Sequence, residues 1–294
     1  MFNRLRTSPY LAYIALVFGI LCIGHSAIFI TLAGVPGSTA SFYRIFFATL
    51  AILPIWFYRG MKVPTRKDLG LILLGGSFFA LDFVLWNTAI ILTTAATATL
   101  LANNAPVWVG LISFFVFKER LTKKFWVGLA VALIGINVLL GMEAWRTMAF
   151  ARGDLLALAA GFLYALYLIL TIDSRKRVDT ITFMTFSLIF MTVMLFFTNL
   201  AMGNPFVGFS KGTWYSLGAV GLISHFGGWL CINFALGHLK GANVSVTLLS
   251  QSVITAILGF FILNQKLEVN QIVGGLILLS GIYIVNRRRT KIIK

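Results

Sequence analysis

Between residues 10 and 285 the chain repeats one pattern ten times: an apolar run closed off by glycine, proline or a knot of basic residues. Each run has the roughly 20 residues that an α-helix needs to cross the ~30 Å hydrocarbon core of a bilayer. In lipid a backbone must satisfy its own hydrogen bonds, which an open strand cannot do, so every run is predicted to be a membrane-spanning helix. The spans read as 10–31, 39–58, 69–92, 95–117, 125–142, 154–172, 181–202, 213–236, 242–263 and 271–285. Only 11% of the 294 residues are charged, against about 25% in soluble domains, so lipid rather than water must solvate most of the surface. Arg4 and Arg6 ahead of an apolar run resemble the start of a signal peptide. The run continues too long for that, and a retained first helix is expected.

The net charge of +16 would suggest nucleic acid in a soluble chain. Here the cations sit at the ends of apolar runs. With the N-terminus inside, 19 of the 24 Lys and Arg residues fall in cytoplasmic segments, and the outer loops hold Arg146, Arg152, Lys211 and Lys266. That bias predicts both termini in the cytoplasm, with the lipid bilayer and not nucleic acid as the partner of the basic residues. Cys22 and Cys231 lie inside spans, without a CxxC or a Cys/His pairing. No disulfide framework, metal site or cofactor is therefore expected.

The chain also repeats itself. A shift of 146 places Asn87 on Asn233, Ala96 on Ala242, Gly128 on Gly274 and Gly135 on Gly281, and a shift of 142 places Gly19 on Gly161. Each unit has five spans, an odd number, so the second copy must enter the membrane inverted. The expected organisation is a cytoplasmic N-terminus over 1–9, one five-helix repeat over 10–142, an inverted repeat over 153–286, and a basic cytoplasmic tail over 287–294. The fold class is thus an all-α membrane protein with ten transmembrane helices as two inverted five-helix repeats. Inverted repeats typify secondary transporters, whose substrate sites lie near mid-membrane where the copies meet.

The stretch ATATLLANNAPVWVGLISFFVFKERLTKKFWVGLAVALIGINVLL carries Pro106 in the fourth span, then Glu119, Arg120 and Leu121, then Gly128 and Gly135. It resembles the end of an EamA domain of the drug/metabolite transporter superfamily. FYRIFFATLAILP, with Arg44, is similar to that family's second helix, and GDLLALAAGFLYALYLIL to the opening of its second domain. Two EamA-like copies would cover about nine-tenths of the chain. The second copy has Ser252 where Pro106 would fall and Gln265 in place of Glu119. The resemblance implies a central cavity lined by helices one to four and six to nine, with five and ten peripheral, and export of amino acids or other small metabolites.

Asp82 is the one acid deep within a span, and an intramembrane charge points to function by default. It could couple protons or contact substrate, or be a structural, protonated or paired aspartate. Arg44 could snorkel outward or pair with Asp82. His225 and Trp229 share the four-residue spacing of Asp82 and Trp86, which places each pair on one helix face. His25 is a second titratable candidate, or a packing histidine. Thr97, Leu101, Asn104 and Trp108 form a stripe in the fourth span, matched in the ninth by Asn243, Thr247, Ser250 and Ile254. Such residues face a wet cavity or bond between helices. Tyr164 and Tyr167 could add aromatic wall, and Asp154 reads as a helix N-cap. The expected substrate-binding set is Trp86, Asn104, Trp108, His225, Trp229 and Ser250, with Asp82, Arg44 and His25 as coupling or intramembrane charges.

Function narrows accordingly. No GxxxxGK[ST] couples ATP, so secondary transport by alternating access is expected: export of small metabolites such as amino acids by a non-enzymatic, monomeric protein of the inner (cell) membrane. Multidrug or cation efflux is the alternative, with Asp82 as the binding charge, whereas Arg44 with Asp82 would suit a zwitterion. An intramembrane transferase would need clustered carboxylates or histidines within the spans, and the sequence has none.

Overall fold

The computed structural model describes residues 9–93, 95–141 and 151–287. Arg4, Arg6, Met142, Arg146, Arg288, Arg289, Lys291 and Lys294 lie outside the described residues, as do most of the N-terminal segment and basic tail. The described residues form ten apolar helical spans. They are α1 (Tyr10–Ala33), α2 (Gly37–Tyr58), α3 (Arg66–Leu92), α4 (Thr97–Phe115), α5 (Lys123–Leu140), α6 (Arg152–Ser174), α7 (Thr180–Ala201), α8 (Lys211–Leu236), α9 (Gly241–Ile262) and α10 (Val269–Asn286). Their ends fall within about three residues of the expected ones, the uncertainty inherent in any helix boundary.

Polar caps set several of these ends. The side chains of Thr65, Thr122, Asp179 and Ser210 accept backbone N–H groups at the starts of α3, α5, α7 and α8, satisfying donors that a helix leaves free. Asp154 is not the cap expected from the sequence. The cap position is Ala151, and Asp154, three residues inside, reaches back to accept the Ala151 N–H at 3.3 Å.

Four spans are irregular. α1 is interrupted between Gly24 and Ser26, with His25 at the joint. α4 breaks at Asn103 and Asn104, and α9 at Leu249 and Ser250, which are the same positions under the 146 shift. Pro106 accounts for the first break, because its ring excludes the regular helical hydrogen bond. The second occurs without a proline, Ser252 donating instead to the Leu249 carbonyl at 3.1 Å. α8 contains a π-helical stretch, Val220–Gly227. The breaks divide the polar stripes read from the sequence, so Thr97 and Leu101 lie on a different helical segment from Trp108.

The copies keep their local geometry where their charges diverge. Lys118 and Asn264, again 146 apart, both take positive φ (52° and 53°) after α4 and α9. Glu119 N–H and Gln265 N–H then close onto the carbonyls of Ser113 and Gly259. Packing repeats as well: α3 and α4 pack on α6 as α8 and α9 pack on α1, and α2 pairs with α7 and α5 with α10. In the last pair Gly128 faces Val285, Gly135 faces Leu278 and Gly274 faces Leu139. These pairings run in opposite directions along the two helices, as an inverted repeat requires.

Candidate functional site

The site forms where α8 is drawn against both α1 and α2. A Cβ on Gly221 would stand 2.5 Å from that of Phe47 and 3.2 Å from the Arg44 carbonyl oxygen. On the other side of α8, Gly228 and Gly19 face each other, each near the other's carbonyl oxygen. Between these contacts lies the π-helical stretch, whose extra residue per turn re-aims side chains and often marks functional sites. The side chain it turns inward is His225, 2% exposed.

Arg44 Nε donates to His225 Nδ1 at 3.1 Å. Because arginine can only donate, this ring is neutral and carries its proton on Nε2. Neither sequence expectation for Arg44 describes this arrangement. The guanidinium does not leave the bundle, and it makes no ion pair with Asp82. The ion pairs among the described residues join Arg177 and Lys176 to Asp68 and Asp173. Asp82 and Tyr164 nonetheless lie within electrostatic reach of Arg44. The guanidinium also sits over Phe83, 5.0 Å from the ring centroid, where the negative face of the ring attracts it.

An aromatic cage encloses this pair. Phe79 stacks on Tyr167 at 4.2 Å and Phe83 at 4.8 Å, and meets Trp229 edge-on at 4.9 Å. Tyr164 stacks on Phe79 at 5.7 Å, and Trp229 lies 6.0 Å from His225. Beside the cage, Tyr167, His225, Trp229 and Asn233 meet Met184, Ser187 and Met191 of α7 around a void with room for about one water molecule. Trp229 Nε1 is buried without a hydrogen-bond partner among the described residues, a state that is costly unless the donor finds a ligand or water.

The structure therefore gathers His225, Trp229, Arg44 and Asp82, and adds Tyr164 and Tyr167. It holds the other expected residues apart. Trp86 packs in a separate cluster with Ala89, Ala98 and Ala157. Trp108 is 36% exposed and lies edge-on to Phe162. Asn104 and Ser250 sit at the helix breaks, where Asn104 Nδ2 turns back to Leu101 O and Ser250 Oγ to Thr247 O. His25 stacks on Phe29 and bonds to the Leu21 carbonyl. Sequence reasoning missed Phe79, Phe83 and Ser187. For the two phenylalanines a signal was present, since positions 79, 82, 83 and 86 share one helix face, and the acid was read without its neighbours.

Polar contacts tie the bundle above and below this centre. Toward the start of α2, Ser38 and Thr39 donate to Asn199 Oδ1 of α7 at 2.7 and 3.1 Å. There Asn204 Nδ2 also donates to Ser38 Oγ, and Tyr43 OH to the Phe206 carbonyl. At the opposite end Arg175 donates to the carbonyls of Asn233 and Val178 and to Thr180 Oγ1, joining the ends of α6, α7 and α8. Burial lowers its pKa to about 10, partly offset by the charge of Asp179, so it stays charged at neutral pH. Arg177 bonds Asp173 and Asp68, and these two carboxylates push its pKa up.

Ten spans in two copies, with charged and aromatic side chains enclosed where the copies meet, define a multi-pass membrane protein of carrier-like architecture. The EamA-like transporter family model matches residues 10–141 and again 151–287. The chain belongs to that family, and it is a transporter of the EamA type. Among curated relatives, an uncharacterized transporter of Archaeoglobus fulgidus is 26% identical over 279 residues, covering 93% of this chain and 95% of that one. The uncharacterized transporter YdfC of Bacillus subtilis is 21% identical over 280 residues, covering 95% and 91%. A solved crystal structure shares the fold with a TM-score of 0.81 at 18% identity, covering 95% of this chain and 98% of that one.

Proposed function

We propose that this protein is a secondary transporter that exports small metabolites, such as amino acids, across the cell membrane by alternating access between two inverted repeats. The observation that carries this reading is the Arg44–His225 pair, enclosed by an aromatic cage where the two copies meet. Ionisable side chains held inside a membrane bundle mark substrate or ion pathways. Polar ties at both ends of the bundle supply closures that could open in turn. The proposed wall comprises His225 and Trp229, joined during the transport cycle by Trp86, Asn104, Trp108 and Ser250, which pack apart from the cage in this structure. A fixed cation at the centre disfavours export of cationic drugs.

The deciding experiment compares metabolites exported by cells with and without the protein. Accumulation of a small metabolite outside expressing cells is expected, and identical media would overturn the reading. Both termini are proposed to be cytoplasmic. Cysteines at Gly37 and Asn204 should then react with impermeant reagents from outside, and cysteines at Lys62 and Lys176 from inside alone. In the same export assay Asp82→Asn tests proton coupling, expected to abolish accumulation against a gradient while sparing downhill exchange. Alanine at Trp86 or Trp229 should weaken apparent affinity more than alanine at Trp56 or Trp126. Those last two rings pack on Phe57 and Phe186, and on Phe125, near the ends of their spans.

A further inference from the structure

A hydroxyl inside a membrane helix can satisfy itself by donating to the carbonyl four residues earlier, as Thr49, Thr88, Thr185 and Thr198 do. Thr171 and Ser174 do not. Both are fully buried in the last turn of α6, and neither Thr171 Oγ1 nor Ser174 Oγ has a hydrogen-bond partner among the described residues. On α8, Trp229 Nε1 and Asn233 Oδ1 share that condition. The two sets face each other. Tyr167, one turn before Thr171, meets Trp229 edge-on at 5.5 Å. Its hydroxyl approaches Asn233 and Thr171 without closing a bond to Oδ1 or Oγ1. The void bounded by Met184 and Ser187 lies at one end of this file, and Arg175 lies at the other. From Tyr167 to Ser174 the file follows about 10 Å of helix. A buried polar atom without a partner costs about 1–3 kcal/mol, and polar groups in a membrane interior face protein or a water-filled path. Four such atoms along one line mark a path.

We propose that the seam between α6, α7 and α8 is the cytoplasmic leg of the transport path, hydrated when open and shut in this structure by Arg175. The assignment rests on the transporter reading above and on its cytoplasmic placement of both termini. Arg175 is built to close the seam. Its fork donates to the Asn233 carbonyl of α8 at 3.0 Å, to the Val178 carbonyl between α6 and α7, and to Thr180 Oγ1 at the start of α7. Gly237 gives the guanidinium room, since a Cβ there would stand 3.0 Å from Arg175 Nη2. When these contacts part, water passes Ser174 and Thr171 and reaches the void beside His225 and Trp229. The four atoms along the file are neutral and include donors and acceptors. That lining suits water and small polar solutes, and it offers no fixed charge on which an ion would be trapped.

The test uses the full chain in its membrane, with Cys22 and Cys231 replaced by alanine and one cysteine in place of Thr171, Ser174 or Ile169. Ile169 is also buried but lies roughly 200° around α6 from Tyr167, on the face away from the file. The probe is a cationic, membrane-impermeant methanethiosulfonate, applied to inverted vesicles, which present the cytoplasmic face, and to intact cells. Thr171→Cys and Ser174→Cys are expected to react in inverted vesicles roughly tenfold or more faster than Ile169→Cys, because the reactive thiolate forms only where water reaches it. Intact cells should leave both unmodified. Arg175→Gln should speed the reaction at Thr171→Cys roughly tenfold, the scale of one lost charge-assisted hydrogen bond. Thr180→Val removes a single acceptor from Arg175 and should act in the same direction by less, which keeps the test available where Arg175→Gln does not fold. Reaction no faster at Thr171→Cys and Ser174→Cys than at Ile169→Cys overturns the path, and reaction in intact cells overturns its cytoplasmic side. Rates unmoved by both Arg175→Gln and Thr180→Val overturn the closing role of Arg175. If the cysteines label as expected while the metabolite screen finds nothing exported, the path stands and the export reading falls. If a metabolite is exported while neither cysteine labels, export stands and the path falls.

Discussion

Two helix pairs in this protein join an element to its own repeat counterpart, and they are built in opposite ways. Where α5 meets α10, backbone touches backbone. A Cβ on Gly128 would stand 2.6 Å from Val285 and 2.7 Å from the Gly281 carbonyl, and one on Gly135, Gly274 or Gly281 would overlap the backbone of Leu278, Leu139 or Ala132. Where α2 meets α7, side chains do the joining: Ser38 and Thr39 to Asn199, Thr49 to Thr192 at 2.8 Å, and Phe42 against Phe196. Glycine contacts of the first kind gain dispersion over a long seam and leave no room for another register. Contacts of the second kind are few, separate and individually replaceable. Under the alternating access proposed above, α5–α10 would be the fixed scaffold and α2–α7 the seam that parts beside Arg44.

The largest effect is expected at the scaffold. Gly135→Val or Gly274→Val forces side-chain atoms into a backbone contact and should cost about 3 kcal/mol, read as loss of folded protein in detergent. Glycine replacements that leave the melting temperature unchanged would dissolve the contrast. Asn199→Leu comes next. It leaves the Ser38 hydroxyl without an acceptor, while Thr39 keeps the Pro205 carbonyl at 3.2 Å, and should cost about 2 kcal/mol while the folded yield remains measurable.

Asp179, at the opposite end of α7, should matter less and in a pH-dependent way. Partial burial pushes its carboxyl up, but hydrogen bonds from the Thr182 hydroxyl and backbone N–H, with Lys62 and Arg175 nearby, outweigh burial and hold its pKa below the ordinary 3.8. A depressed folded pKa contributes stability above the unfolded value and loses it as pH falls through the folded one. Asp179→Ala should therefore cost about 1 kcal/mol near neutrality, as for other helix caps. The gap from wild type should close below about pH 4. A gap that persists undiminished in acid would assign the effect to packing.

The smallest energetic effect belongs to the Thr49–Thr192 bond, where Thr49→Val should cost about 0.6 kcal/mol. The same pair gives the sharpest test of movement. In a background with Cys22 and Cys231 replaced by alanine, a disulfide between Thr49→Cys and Thr192→Cys should arrest transport reversibly. A cross-link between cysteines placed at Leu139 and Gly275, across the scaffold, should leave transport intact. Equal inhibition by both would mean that the two seams move together.

Much of the scaffold was readable in advance. The period of Gly128, Gly135, Gly274 and Gly281 shows in the sequence, and glycine at such spacing in apolar spans means close helix approach. The site was legible residue by residue but not as an assembly. Asp82, Arg44 and His225 stood out as charged or titratable groups inside apolar spans. Nothing in the sequence showed that Arg44 would meet His225 rather than Asp82, because that contact depends on Gly221 bringing α8 against α2 and on the π-helical stretch beyond it. Trp86 and Trp229 occupy related helices at similar depth, yet only Trp229 faces the cage. A three-residue offset between repeats is about 300°, which leaves the two side chains roughly 60° apart around the axis, and the π-helical stretch changes that angle further.

The sequence by itself determined that this chain spans a membrane ten times in two related halves. Hydrophobic run length, basic-residue placement and a fixed repeat interval are local or additive properties, and lipid enforces them without reference to tertiary contacts. The tertiary structure alone decided which polar groups share a site, where helices break without proline, and which tryptophans face inward. Those outcomes depend on rotations of whole helices about their axes, set by glycine contacts and by hydrogen bonds between residues as far apart as 44 and 225. A helix rotation of one residue, about 100°, leaves the apolar pattern nearly unchanged and moves a side chain from lipid to the centre.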